Sequence, residues 1–155
     1  MRTLDRLIAQ APIFRGLAEH HVDALVRVAR EQQTVAGAYL LRAGEAAERF
    51  YLIREGTLAL EVQAPGRGAI LIETLHAGEI TGFSWLFEPC RWQFDARATS
   101  PMRFVSFDGT ALRGAVEADH ELGFQLMRRF AATAVARLQA TRLQLLDVYG
   151  NPGAR

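Results

Sequence analysis

The 155-residue sequence predicts an α+β domain, with a helical block, a block of short antiparallel strands and a second helical block. Three observations predict it. Apolar residues recur at helical spacing near both ends. They alternate with period two in the middle. Glycines at 37, 44, 56, 66, 68, 78 and 82 divide that middle into short runs, the pattern of a sandwich or roll rather than of alternating βαβ units.

Residues 1–33 form the first helical block. Leu4, Leu7 and Ile8 share one side of a short helix that stops before Pro12. In "LAEHHVDALVRVAR", Val22, Leu25, Val26 and Ala29 follow the i, i+3, i+4, i+7 spacing of an amphipathic helix.

Residues 34–108 form the β block. "RFYLI" and "TLALEV" flank Arg54-Glu55-Gly56, which predicts a hairpin turn there. Leu58, Leu60 and Val62 alternate with Thr57, Ala59 and Glu61, so the first three are expected to face inward. "APGRG" is a further turn and "AILIETL" a further strand. Trp85, Trp92 and Phe94 are expected in the core, and Asp95 with Arg97 as a surface ion pair.

Residues 109–149 return to helical period. "TALRGAVEA" predicts a short helix. A longer one starts near Asp119, a good N-cap, and runs to about Val148. That is about 30 residues, or roughly 45 Å. Met127, Ala131, Ala134, Leu138, Thr141, Leu145 and Val148 are spaced 4-3-4-3-4-3, an a/d seam that predicts a parallel homodimer through residues 119–148. A second apolar line, Leu122, Leu126 and Phe130, is placed to cover the roll. Gly150 ends the helix, and residues 151–155 read as a tail.

Composition excludes several classes. Net charge is +1, so no overall field draws the chain to nucleic acid or membrane, and all eighteen basic residues are Arg. Cys90 is the only cysteine, too few for a disulfide, a Cys-rich zinc site or an iron–sulfur cluster. The N-terminal stretch lacks the apolar run of a signal peptide, and no segment is long enough to span a membrane, so the expected compartment is the cytoplasm. The four histidines, at 20, 21, 76 and 120, form no His-x-His pattern, and no metal site is expected. No nucleophile elbow or zinc-protease motif occurs, so an enzyme is not expected.

The stretch "VAGAYLLRAGEAAERFYLIREGTLALEV" resembles the opening strands of the cyclic-nucleotide-binding domain, matching at Val35, Gly37, Leu41, Gly44, Glu45, Phe50 to Ile53 and Gly56. "IFRGL" resembles the start of that domain. Leu75 to Glu79 resembles the opening of its phosphate-binding cassette, and "ARLQATRLQLLDV" resembles the dimer helix of the catabolite-activator and fumarate/nitrate-regulator superfamily. The resemblance implies an eight-stranded antiparallel β-roll (jelly roll, double-stranded β-helix) with flanking helices and a long C-terminal dimerisation helix. It implies a site for an anionic ligand, cyclic AMP or cyclic GMP, at Gly78, Glu79, Ile80, Phe83, Ser84, Arg91 and Trp92, with Thr141 and Arg142 reaching it from the long helix. Glu79 would accept a bond from the ribose hydroxyl, and Arg91 would pair with the phosphate.

The cassette departs from that pattern in its second half. Arg91 comes twelve residues after Glu79, about two later than usual, and is followed by Trp92 and Gln93 rather than a hydroxyl residue and a small one. Counting back from "DARATSPMRFVSFD" puts Trp92 at the arginine's place, and Glu88 stands close by. A haem-bound sensor of the superfamily raises His76 and Cys90 as axial ligands, a weaker reading. The sequence stops where the superfamily's helix-turn-helix would begin, as part of a longer protein or as a stand-alone module, so no DNA reading is expected of these residues. Two functions follow. The first is a non-catalytic, dimeric sensor that binds an anionic ligand. The second is a dimerising interaction module whose pocket its own aromatics fill. Buried indoles with Arg91 facing water would favour the second.

Overall fold

The glycine-divided middle of the chain folds as two four-stranded antiparallel sheets. The computed structural model describes residues 3–150. After α1 (Thr3–Gln10), a 3-10 turn at Pro12–Phe14 and α2 (Glu19–Arg27) come eight strands among the described residues. They are β1 (Ala29–Thr34), β2 (Tyr39–Leu41), β3 (Arg49–Glu55), β4 (Leu58–Ala64), β5 (Gly68–Leu75), β6 (Ile80–Thr81), β7 (Asp95–Ala98) and β8 (Met102–Asp108). The helices α3 (Gly109–Ala118) and α4 (His120–Gly150) follow. One sheet has the order β1-β8-β3-β6 and the other β2-β7-β4-β5. This is the antiparallel roll with a long C-terminal helix that the sequence predicts. The tail over residues 151–155 and the Val148 side chain lie outside the described residues.

Three local expectations are corrected. Ala29 is not on a helix: α2 ends at Arg27, and Ala29 opens β1 opposite Phe107. The polar run Arg30 to Gln33 has little of its own to bury. Pairing with β8 decides its conformation over the local helical period.

The Arg54–Gly56 segment closes no hairpin. It carries the chain from one sheet to the other, and the hairpin of this region is β4–β5, closed by "APGRG". Gly56 has φ +94°, and a Cβ there would sit 2.4 Å from the Pro101 carbonyl oxygen. Gly56→Ala is therefore expected to cost about 2–4 kcal/mol, from the left-handed backbone and the clash together. Urea unfolding checks this.

The alternation expected in β4 does not hold: Leu58, Ala59, Leu60 and Glu61 are all buried, and Val62 is exposed. The register shift against β5 skips Ile72 on β5 and leaves β4 itself in step with β7.

The core lies between the sheets and under the first half of α4. Phe50 stacks on Phe107 with ring centroids 4.3 Å apart and on Trp85 at 5.4 Å, and it meets Phe130 edge-on at 5.3 Å. Asp119 caps α4, its Oδ1 accepting from the Leu122 N–H at 3.1 Å. Leu122, Leu126 and Phe130 are buried, so this apolar line does cover the roll. Beyond Phe130 the helix runs largely uncovered.

Candidate functional site

The loop between β5 and β6 is built around Gly78, whose φ of +91° suits glycine. The Gly78 N–H donates to the Ile53 carbonyl at 2.8 Å, and the Ile53 N–H donates to the Glu79 carbonyl at 3.0 Å. The loop is thereby pinned to β3. The Glu79 carboxylate turns back on its own loop, accepting from the His76 N–H at 2.6 Å, with the His76 imidazole 3.7 Å away.

A cleft of about 470 Å³ opens between this loop and α4. Pro12, Glu73, Gly78, Glu79, Ile80 and Arg137 are among the residues lining it. Arg137 reaches down from α4 and donates to the Ile80 carbonyl. Its Nε lies 4.0 Å from Glu73 Oε2, and its guanidinium carbon 5.5 Å from the Phe83 ring centroid. Burial pushes the Arg137 pKa down from its ordinary value, and the Glu73 and Glu79 carboxylates oppose that shift. The cleft therefore holds two carboxylates and one guanidinium already engaged by protein oxygen atoms.

Sequence reasoning missed Arg137. The signal was present: Arg137 is seven residues beyond Phe130 and continues the inner line of Leu122, Leu126 and Phe130. A charged residue on the buried stripe of a helix needs a partner.

The remaining expected site residues divide. Gly78, Glu79 and Ile80 line the cleft, and Phe83 lies under Arg137. Ser84 begins a 3-10 turn of three residues, Ser84–Leu86, too short to present a helix N-terminus to an anion. Arg91 is exposed and absent from the cleft lining, and its Nη1 donates to the Gly44 carbonyl at 2.9 Å. Trp92 is only 6% exposed, and its Cη2 lies 3.1 Å from where a Cβ on Gly82 would stand. Trp85 is 1% exposed. The indoles thus fill the roll beside the cassette while the guanidinium faces water. Thr141 Oγ1 donates to the Arg137 carbonyl at 3.0 Å, and both Thr141 and Arg142 are exposed outside the cleft.

Cys90 Sγ lies 3.8 Å from the Trp85 carbonyl and 3.9 Å from Arg113 Nη1, whereas His76 sits beside Glu79. Each has a local role without a haem. Glu88 is exposed.

The expected Asp95–Arg97 pair is replaced by another. Arg97 makes two bonds to Glu61 on the neighbouring strand, at 2.9 and 3.1 Å. Asp95 is buried and accepts from the Ala43 N–H and the Gln63 amide. The hydrogen bonds from Arg97 hold the Glu61 carboxyl below its ordinary pKa, against the opposing effect of burial. A depressed carboxyl stabilises the fold above the unfolded-state value and loses that contribution as pH falls through the folded-state value. Glu61→Gln is therefore expected to flatten the fall of stability with acidification below the ordinary carboxylate range. Unfolding free energies at a series of acidic pH values measure the slope.

Among the described residues, no helix is long and apolar enough to cross a membrane. Residues 31–119 match the family model of the cyclic nucleotide-binding domain. The chain is 27% identical over 145 residues to the CRP-like cAMP-activated global transcriptional regulator of Mycobacterium tuberculosis. That alignment covers 94% of this chain but 63% of the regulator, so the chain spans less than two thirds of the curated relatives it matches. A cyclic nucleotide-binding domain from Methylobacillus flagellatus KT superposes with a TM-score of 0.79 at 19% identity, over 93% of this chain and 81% of that one. The N-terminal domain of a transcriptional regulator from Streptomyces coelicolor A3(2) does so with a TM-score of 0.68 at 21% identity, over 90% and 95%. These two likenesses show the fold. By its family model, and in agreement with its strand order and glycine turns, the chain belongs to the cyclic nucleotide-binding domain family.

Proposed function

We propose that this chain is a dimeric, non-catalytic regulatory module of the cyclic nucleotide-binding architecture, which works through α4 and does not hold a cyclic phosphate in its cassette. One observation carries the reading. From Val135 onward α4 presents Val135, Leu138, Leu143, Leu145 and Leu146 to solvent, each more than half exposed. Leu138 and Leu145 lie seven residues apart on the predicted seam, with Val135 and Leu146 on the adjoining face, and an exposed apolar seam of this kind is the surface a partner helix covers.

The cassette supports the second half of the proposal. A phosphate carries charge that an arginine must neutralise. Here Trp92 is buried at the arginine's place, and Arg91 is directed to the Gly44 carbonyl. A phosphate in the cleft would meet Glu73 and Glu79, and only one guanidinium stands against two carboxylates. The expected result is no change in Tm with millimolar cyclic AMP or cyclic GMP. Ligand at 100 times its dissociation constant would add about 2.7 kcal/mol, which a thermal shift resolves readily. A rise lost in Arg91→Ala would restore Arg91 as the clamp and overturn this half of the proposal.

The intact Gly78–Glu79 loop and the open cleft favour a second reading, a sensor whose ligand sits there. Arg137 is then the cation that meets the ligand, together with Gly78, Glu79 and Ile80. A nucleotide-dependent shift that survives Arg91→Ala but is lost in Arg137→Gln would select this reading. Either way the activity is regulatory, and binding of a ligand or partner changes the population of α4 arrangements.

A further inference from the structure

We propose that His20, His21 and Asp119 form a site for one divalent transition-metal ion at the root of α4. The sequence separates the two histidines from the aspartate by about a hundred positions, and the fold brings them together. One ligand atom from each lies within 4.8 Å of the others. His21 Nε2 is 3.7 Å from Asp119 Oδ2, and the two imidazole centroids are 4.1 Å apart.

A second, independent observation points to a ligand. His21 is 2% exposed, yet neither Nδ1 nor Nε2 has a hydrogen-bond partner among the described residues. A buried imidazole nitrogen is costly to leave unpaired, and neutral imidazole is the commonest metal ligand. Asp119 is also suited to the role. Its Oδ1 is committed to capping α4 through the Leu122 N–H, while Oδ2 faces His21.

Two imidazoles and one carboxylate select the metal class. Zn²⁺, Co²⁺ and Ni²⁺ accept nitrogen and oxygen together, whereas Ca²⁺ and Mg²⁺ take oxygen ligands. Bond lengths of 2.0–2.2 Å place tetrahedral ligand atoms roughly 3.4 Å apart, so the three groups close by about 1 Å on binding and water completes the sphere. His20 is exposed and free to make that movement.

The position gives the ion a mechanical consequence. His20 and His21 lie in the first turn of α2, and Asp119 is the residue between α3 and α4. A bound ion ties the N-terminal helices to the start of the long helix and holds the angle at which α4 leaves the roll. This site is separate from the cleft at Arg137, and its test does not depend on the proposed function above.

The experiment is calorimetry and thermal denaturation of the full chain with Zn²⁺, and Co²⁺ absorption spectroscopy as a report on nitrogen ligation. One ion per chain is expected, with Tm raised by about 5–10 °C when free Zn²⁺ is 100 times the dissociation constant. His20→Ala removes an exposed ligand, and Asp119→Asn keeps the helix cap while removing the carboxylate. Each should weaken binding by about 100-fold or more, beyond what loss of an outer-shell partner costs. Both should leave the metal-free Tm near that of the wild type, and His120→Ala should bind as the wild type does. Absence of one-to-one binding, or affinity unchanged in both His20→Ala and Asp119→Asn, would overturn the site.

Discussion

Phe50→Ala lowers the unfolding free energy by about 3–5 kcal/mol, the range for deleting a fully buried phenyl ring. The expectation rests on where Phe50 sits. Its ring is wholly buried and contacts Phe107 of β8, Trp85 of the cassette turn and Phe130 of α4. These partners come from three separate elements, and surroundings held by three elements collapse poorly into a cavity. A loss this large is a substantial share of the 5–15 kcal/mol typical of a whole domain. Phe50→Leu retains most of the volume and should cost clearly less. Denaturant midpoints at constant m measure both, and a cost below about 1 kcal/mol for the alanine variant would contradict the aromatic hub.

The double variant Leu138→Asp, Leu145→Asp is expected to abolish dimerisation while leaving the fold of the roll intact. Both positions are exposed within the chain, at 55% and 52%, so a carboxylate there costs the isolated protomer little. They are also seven residues apart on the 4-3 seam. Across a parallel interface each aspartate would therefore face its own copy, and like charges brought into an apolar interface oppose association strongly. The expected outcome is a monomer with a near-UV spectrum of native type. A variant that remains dimeric would place the interface elsewhere, on the Phe124 or Phe87 surface for instance, since both side chains are exposed.

The architecture was legible because its signals are local and redundant. Glycine turns, period-two runs and the Leu122, Leu126, Phe130 line each follow from chain geometry, and they agree with one another. The misreadings fall where partners distant in sequence decide. Gln32 and Gln33 become strand because β8 offers them a neighbour. Glu61 is buried against the period-two expectation because Arg97 on β7 supplies its carboxylate with a partner. Arg97 chooses Glu61 over Asp95 because β4 lies alongside β7.

The site was only half legible for the same reason. Gly78 and Glu79 could be read because their loop is a local structure. Arg137 could not be assigned from a motif, since its partners Ile80 and Glu73 are supplied by other elements. The cluster of His20, His21 and Asp119 escaped a search for closely spaced ligands, because the fold and not the spacing assembles it. Trp92 was visible as the wrong residue for a phosphate clamp, and its burial gives that departure a physical meaning.

Sedimentation equilibrium of the wild-type chain at micromolar concentration tests the proposal about α4 most directly. The exposed seam residues Leu138 and Leu145 predict a species of twice the chain mass, without any added ligand. A species of single-chain mass throughout that range would contradict it, and would mean that the long helix stands uncovered in solution.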